Sequence, residues 1–285
     1  MLRGTRLTRD SIELTNFKNE FSANGYFASG IIGTEFIAHQ TEFLKLIESV
    51  DKDVAAVKSG YSQNVTHLVS AQFAQYLTSI AEPLLQLGYV KKILPFPKII
   101  DINCSYSFYN EEAVKNPTHA HLWHRDLDDI GPQLKIFIPL TKCSESNGRF
   151  SCISHKYADF GDKLLDSSLI NAETSEEYRA TDPKFRLTDK TVRKNVPTNL
   201  ILDFSSEIGD VLLIDTNSTY HKGGLVLEES EYRIMVQVTL GSITHSWYKP
   251  NNFSQQILRK IVMRYRRKFG KFTKIYNSRK TTVLN

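Results

Sequence analysis

Residues 121–129 have the sequence His-Leu-Trp-His-Arg-Asp-Leu-Asp-Asp, and this stretch gives the first indication of both fold and function. His124 and Asp126 are separated by one residue, so on a β-strand their side chains point to the same face. An imidazole and a carboxylate held side by side can supply two ligands of a metal site. A third ligand must then come from elsewhere in the chain, and His221 is the candidate.

Segments with strand character follow this stretch. Gln133 to Thr141 alternates cleanly, which places Leu134, Ile136, Ile138 and Leu140 on one face. Many short strands separated by turn signals favour a sandwich or barrel, so we expect a mainly β protein with helices packed outside. Besides 133–141, strands are predicted at 99–109, 149–154, 199–204, 210–215, 218–221 and 231–241.

Helices are predicted toward both ends of the chain. Thr34 is a plausible N-cap for a helix from Glu35 to about Val50. A second helix is expected from about Thr66, and it should end or restart at Pro83 because proline lacks the N–H that a helix interior needs. A final basic amphipathic helix is predicted at about 254–269.

We expect one domain over residues 1–285. It comprises a helical N-terminal scaffold (1–90), a barrel core (91–245) and a basic C-terminal helix and tail (250–285). Residues 157–197 are charged and weakly patterned, and we interpret them as an insertion long enough to cover a site.

The composition is that of an ordinary soluble protein, with 41% hydrophobic residues. No apolar run of signal-peptide or membrane-span length is visible, so we expect a cytoplasmic protein. Cys104, Cys143 and Cys152 form no Cys-x-x-Cys pair, and free buried thiols are expected.

The net charge of +5 is unevenly distributed. Residues 232–285 contain twelve Lys or Arg and no Asp or Glu, whereas residues 1–231 hold 24 basic and 31 acidic residues. The basic end could meet an anionic substrate or touch a membrane surface, but its apolar face favours docking on the barrel. No nucleic-acid-binding motif is present, so no nucleic-acid partner is expected.

Arg233 lies near the start of a predicted strand whose two faces differ sharply. Tyr232, Ile234, Val236, Val238 and Leu240 form a wholly apolar face, and Arg233 lies on the other. An arginine inside a barrel needs an anion, because an unpaired buried charge is costly.

The order of these motifs resembles the phytanoyl-CoA dioxygenase family. The set comprises His124-x-Asp126, Gly209-Asp210 before a hydrophobic strand, His221, and Arg233 about a dozen residues further on. Two further similarities are residues 147–156, which resemble the family's Gly-rich strand ending in a Ser-His pair, and residues 21–27, which resemble its N-terminal entry segment.

The resemblance implies a double-stranded β-helix, a jelly-roll or cupin-like barrel, and an iron(II)- and 2-oxoglutarate-dependent dioxygenase. It implies that His124, Asp126 and His221 bind iron and that Arg233 binds the cosubstrate. O2 would be the second cosubstrate, and a small molecule or biosynthetic intermediate the substrate. The family often has a hydroxyl donor two residues after the distal histidine, but this chain has Gly223 there. His121 and Tyr109 are the candidates for that role.

Two other functions were weighed. A cupin-like barrel that binds metal or carbohydrate without oxygen chemistry would not need a carboxylate anchor such as Arg233. Residues 124–127 with Asp159-Phe160-Gly161 resemble part of a protein-kinase signature, but Gly131 stands where a kinase needs Asn, and no Gly-rich phosphate loop is present. The family resemblance therefore implies a hydroxylating oxygenase.

Overall fold

The computed structural model describes residues 21, 25–30, 34–50, 62–117, 119–126, 132–154 and 186–242. Within them, the strands form one six-stranded and one three-stranded sheet, in which neighbouring strands are antiparallel. The strands are β1 Tyr26–Gly30, β2 Ser62–Asn64, β3 Pro97–Phe108, β4 Gln133–Pro139, β5 Phe150–Ile153, β6 Ile201–Phe204, β7 Asp210–Asp215, β8 His221–Lys222 and β9 Tyr232–Ser242.

The two sheets place sequentially distant strands side by side. The large sheet has the order β1-β7-β4-β9-β3-β2 and the small sheet β6-β5-β8. β4 therefore lies between β7 and β9, with Lys135 opposite both Ile214 and Thr239.

One face of the large sheet packs against helices. The predicted alternation of β4 and β9 is confirmed, because Leu134, Ile136, Ile138, Ile234, Val236, Val238 and Leu240 are all fully buried in one apolar cluster. The same cluster contains helical side chains such as Phe36 and Phe73. The helices are α1 Thr34–Ile47, α2 Ala71–Leu85, α3 Gly88–Ile93, α4 Glu111–Lys115 and α5 Asp189–Asn195.

The other face of the large sheet meets the small sheet. Phe137 of β4 contacts Phe150 of β5 with ring centroids 4.8 Å apart. Leu212, Met235 and Phe204 join them in a second apolar cluster. A mainly β protein is thus confirmed, with a large and a small sheet packed face to face, and the inner face of this sandwich is the face that carries Arg233.

Several local predictions differ from the structure. Residues 26–30, for which no strand was predicted, form β1 and pair with β7. The second helix begins at Ala71 with Ser70 as its N-cap, and Pro83 lies inside its last turn, where the loss of one backbone donor at an exposed helix end costs little. Residues 111–115, for which no helix was predicted, form α4.

Other predictions fall wholly or partly outside the described residues. These are the basic C-terminal helix, His155, and residues 157–185 of the insertion. The domain boundaries also remain predictions. The three cysteines are free and buried, as expected. None of the helices in the described ranges is long and apolar enough to cross a membrane.

Candidate metal centre

Backbone pairing places His124 beside His221. The two residues form an isolated antiparallel bridge, and each backbone N–H donates to the carbonyl of the other at 2.9 Å. Directly opposed residues in such a pair project to the same face, and the two imidazole centroids are 4.4 Å apart. Asp126 is fixed next to them because its N–H donates to the Thr216 carbonyl at 2.9 Å.

The three side chains converge as the sequence predicted. His124, Asp126 and His221 each offer a ligand atom, and these atoms all lie within 4.8 Å of one another. Asp126 Oδ1 is 3.7 Å from Nε2 of His124 and 3.9 Å from Nε2 of His221.

Hydrogen bonds to the backbone orient both imidazoles. Nδ1 of His124 donates to the Leu122 carbonyl at 2.8 Å, and Nδ1 of His221 donates to the Thr219 carbonyl at 3.0 Å. Since a carbonyl can only accept, each Nδ1 carries the proton and each Nε2 presents a lone pair toward Asp126. This is the arrangement that second-shell partners impose on metal-binding histidines.

Electrostatics fix the protonation states of the three groups. Burial, reinforced by His221, lowers the pKa of His124 to about 3, and burial also lowers the pKa of His221. Burial alone would raise the pKa of Asp126, but His221 and Lys135 outweigh it and hold that pKa below its usual value. At neutral pH the centre thus has two neutral imidazoles and a carboxylate, a donor set that suits iron(II).

Arg233 is buried without a carboxylate partner among the described residues. The side chain is 8% exposed, and burial lowers the pKa of its guanidinium. Nη1 donates to the carbonyls of Gly148 and Gly224, the latter at 3.2 Å, and Nη2 lies 3.4 Å from the Ser107 hydroxyl. Nε has no hydrogen-bond partner in the described part of the chain. The Nε–Nη2 edge is therefore where a carboxylate can bind through two N–H groups.

Two closely packed glycines supply the carbonyl acceptors of Arg233. Gly148 has φ +88°, and a Cβ on Gly224 would meet Gly148 Cα at 2.8 Å and Arg149 O at 2.4 Å. The two backbones can approach this closely because neither residue has a side chain. The sequence placed Gly148 in the Gly-rich segment 147–156, but it did not identify Gly224 or Ser107 as partners of Arg233. Ser107 is opposite Arg233 in the β3–β9 register, which the chain order does not reveal.

The two candidates for the missing hydroxyl donor lie in different places. Nδ1 of His121 donates to the Gly223 carbonyl at 2.9 Å, so this buried imidazole does lie beside the glycine in question. Tyr109 is half-buried and directly follows β3, two residues beyond Ser107. A role for either side chain in binding a cosubstrate remains a prediction.

Together these features define a two-sheet β protein with a His-Asp-His centre and a separate buried guanidinium. The sequence matches no protein-family model and no curated protein. Among solved structures, the chain is similar to SnoN, a non-haem α-ketoglutarate-dependent epimerase from nogalamycin biosynthesis, at 13% identity over 82% of this chain and 84% of SnoN, with a TM-score of 0.50.

A second SnoN structure, in complex with Fe3+, α-ketoglutarate and nogalamycin RO, gives 14% identity over 82% of this chain and 86% of SnoN, also at a TM-score of 0.50. HygX from Streptomyces hygroscopicus, with nickel and 2-oxoglutarate bound, gives 16% identity over 82% and 88% of the two chains, at a TM-score of 0.47. At these identities the likeness to SnoN is one of fold.

Proposed function

We propose that this protein is an iron(II)- and 2-oxoglutarate-dependent dioxygenase that hydroxylates a small molecule or biosynthetic intermediate and releases succinate and CO2. The observation that carries the proposal is the convergence of His124, Asp126 and His221, with both imidazoles tied through Nδ1 so that Nε2 faces the carboxylate. Two histidines and one carboxylate on one side of an octahedral ion leave positions open for cosubstrate and oxygen.

Arg233 is the proposed anchor for the distal carboxylate of 2-oxoglutarate. Its Nε–H and Nη2–H form one edge of a planar guanidinium, which matches a carboxylate through two parallel hydrogen bonds. The same carboxylate would neutralise a charge that has only carbonyl and hydroxyl partners among the described residues. A metal- or carbohydrate-binding barrel without oxygen chemistry has no use for such a group.

The protein's residues bind and orient the reactants. The imidazoles and Asp126 would hold the metal, and Arg233 would fix one end of the cosubstrate. The buried ring of Phe150, stacked on His221 with centroids 5.6 Å apart, would exclude water from that side of the imidazole. When bound, iron(II) with 2-oxoglutarate and O2 supplies the oxidising chemistry.

The finer assignments belong to the same proposal. We infer a double-stranded β-helix and a relationship to phytanoyl-CoA dioxygenases from the motif order. The fold likeness to SnoN, which was solved in complex with Fe3+ and α-ketoglutarate, supports the proposed metal and cosubstrate. Hydroxylation is favoured over halogenation because, in the family that the motif order resembles, members that halogenate have a small residue at the position that matches Asp126. A cytoplasmic location and an anionic substrate, suggested by the basic C-terminal segment, complete the proposal.

The test is release of succinate from 2-oxoglutarate. Purified protein with iron(II), 2-oxoglutarate and O2 should release succinate, and a set of metabolites should contain a substrate that accelerates it. His124→Ala should abolish release while the circular dichroism spectrum is unchanged, because one metal ligand is lost. His67→Ala, which removes an exposed histidine in the turn Thr66–Leu68, should leave release unchanged. Equal succinate release by the His124→Ala variant would refute the proposal.

A further inference from the structure

The two carboxylate oxygens of Asp126 face different partners. Oδ1 faces the Nε2 atoms of His124 and His221 at 3.7 and 3.9 Å. Oδ2 instead lies 2.7 Å from Nζ of Lys135. One oxygen is thus directed into the metal centre while the other is held by an ammonium group.

Strand pairing on both sides fixes the origin of Lys135. Its backbone is in the middle of the large sheet, opposite Ile214 of β7 and Thr239 of β9. Its side chain is 17% exposed and lies on the inner face, away from the apolar cluster of Leu134 and Ile136. The ammonium therefore reaches Asp126 from a rigid position.

The amide of Asn217 connects Asp126 to the strand that carries Lys135. Asn217 Nδ2 donates to the Asp126 carbonyl, and Asn217 Oδ1 accepts from the backbone N–H of Gln133 at 2.7 Å. Gln133 begins β4. The separation of Lys135 from Asp126 is therefore constrained by the side-chain amide of Asn217 as well as by their ion pair.

We propose that Lys135 is a positioning residue that restricts Asp126 to coordinating the metal through Oδ1 alone. This role rests on the proposed iron site. A carboxylate can bind a cation through one or both oxygens, but Oδ2 is already ion-paired with the Lys135 ammonium at 2.7 Å. Coordination through one oxygen keeps a further position on the metal open for cosubstrate or oxygen.

The same ammonium has a second, opposite effect on the metal. As a fixed positive charge it repels a divalent cation, so Lys135 weakens metal binding while it keeps the coordination open. Even with water-like screening, repulsion between a dication and an ammonium a few ångströms apart corresponds to about tenfold in affinity. If Lys135 only held Asp126 in place, it would strengthen metal binding, and its removal would raise the dissociation constant for the metal.

Manganese(II) bound to the metal-free protein provides the test, because the relaxation of water protons reports how many waters coordinate the ion. In Lys135→Met, Asp126 should bind through both oxygens and displace one water, which lowers the relaxation enhancement per bound ion by about a third. The dissociation constant for manganese(II) should also fall by about tenfold. Lys135→Arg keeps a cation within reach and should resemble the wild type in both measurements.

Lys142→Met is the matched control, because it removes a lysine that pairs with Glu207 at the exposed surface. Circular dichroism establishes that each variant is folded. If Lys135→Met fails to fold, Lys135→Gln also lacks the charge and replaces it, and it should likewise lower the relaxation enhancement and the dissociation constant for manganese(II). Unchanged water relaxation, or weaker manganese binding, in the folded uncharged variant would overturn the role of Lys135. Failure of the wild type to bind manganese would instead overturn the metal site itself.

Discussion

Replacement of Arg233 by methionine tests the proposed cosubstrate anchor separately from the proposed metal site. Methionine keeps an unbranched apolar stem but removes the guanidinium edge formed by Nε and Nη2. Two hydrogen bonds to a charged carboxylate contribute about 1.5–3 kcal/mol each. Even the lower value for both, about 3 kcal/mol, raises the dissociation constant for 2-oxoglutarate by about 150-fold. Metal affinity should change much less than in Lys135→Met, because the hydrogen bonds of Arg233 go to Gly148, Gly224 and Ser107, whereas Lys135 is ion-paired with Asp126 itself.

The assay is anaerobic calorimetric titration of 2-oxoglutarate into protein loaded with manganese(II). Arg193→Met is the control, since it removes an arginine whose guanidinium already has carboxylate partners, Asp189 and Asp203. It should bind 2-oxoglutarate as the wild type does. A folded Arg233→Met protein that binds 2-oxoglutarate within threefold of the wild type would refute the assignment of Arg233 as the anchor.

Three further perturbations test neighbouring parts of the centre. Because folding lowers the pKa of His124 from 6.5 to about 3, its contribution to stability is complete above pH 6.5 and is lost as the pH falls toward 3. In chemical denaturation of the metal-free protein, acidification from pH 7 to 5.5 should lower the free energy of unfolding by about 1 kcal/mol through His124, and His124→Gln should remove this contribution to the pH dependence. Gly224→Ala places a Cβ against the backbone of Gly148, so it should destabilise the protein by about 1–3 kcal/mol and weaken 2-oxoglutarate binding; unchanged melting would contradict the close packing. Ser107→Ala removes a hydroxyl near Arg233 and should weaken 2-oxoglutarate binding by about 0.5–1.5 kcal/mol in the same titration, whereas a larger loss would point to a direct contact with the cosubstrate.

Local periodicity was sufficient to predict the centre of the fold. The strict alternation in β4 and β9 reflects one face against the helices and one against the small sheet, and the structure buries those residues as expected. β1 was missed because its five residues, Tyr26–Gly30, end in glycine and carry little alternation of their own. Their strand conformation depends on pairing with β7, which is almost two hundred residues away in sequence.

The site was predictable to the extent that residue types determine its chemistry. His124 and Asp126 are close because of strand geometry, and His221 could be proposed because metal chemistry needs a third ligand. The sequence did not predict a role for Lys135, because its contact with Asp126 depends on how β4 packs beside the residues around position 126. Likewise, the carbonyl acceptors of Gly148 and Gly224 have no side-chain signature, so their contact with Arg233 emerges only from the fold.

An anaerobic optical titration tests the central claim most directly. Iron(II) followed by 2-oxoglutarate, added to the metal-free protein, should produce a weak visible charge-transfer band that saturates at one equivalent of each. The band should be absent from folded His221→Ala protein. A folded wild-type protein that gives no band at saturating iron(II) and 2-oxoglutarate, or a band that survives in His221→Ala, would contradict the assignment of this centre.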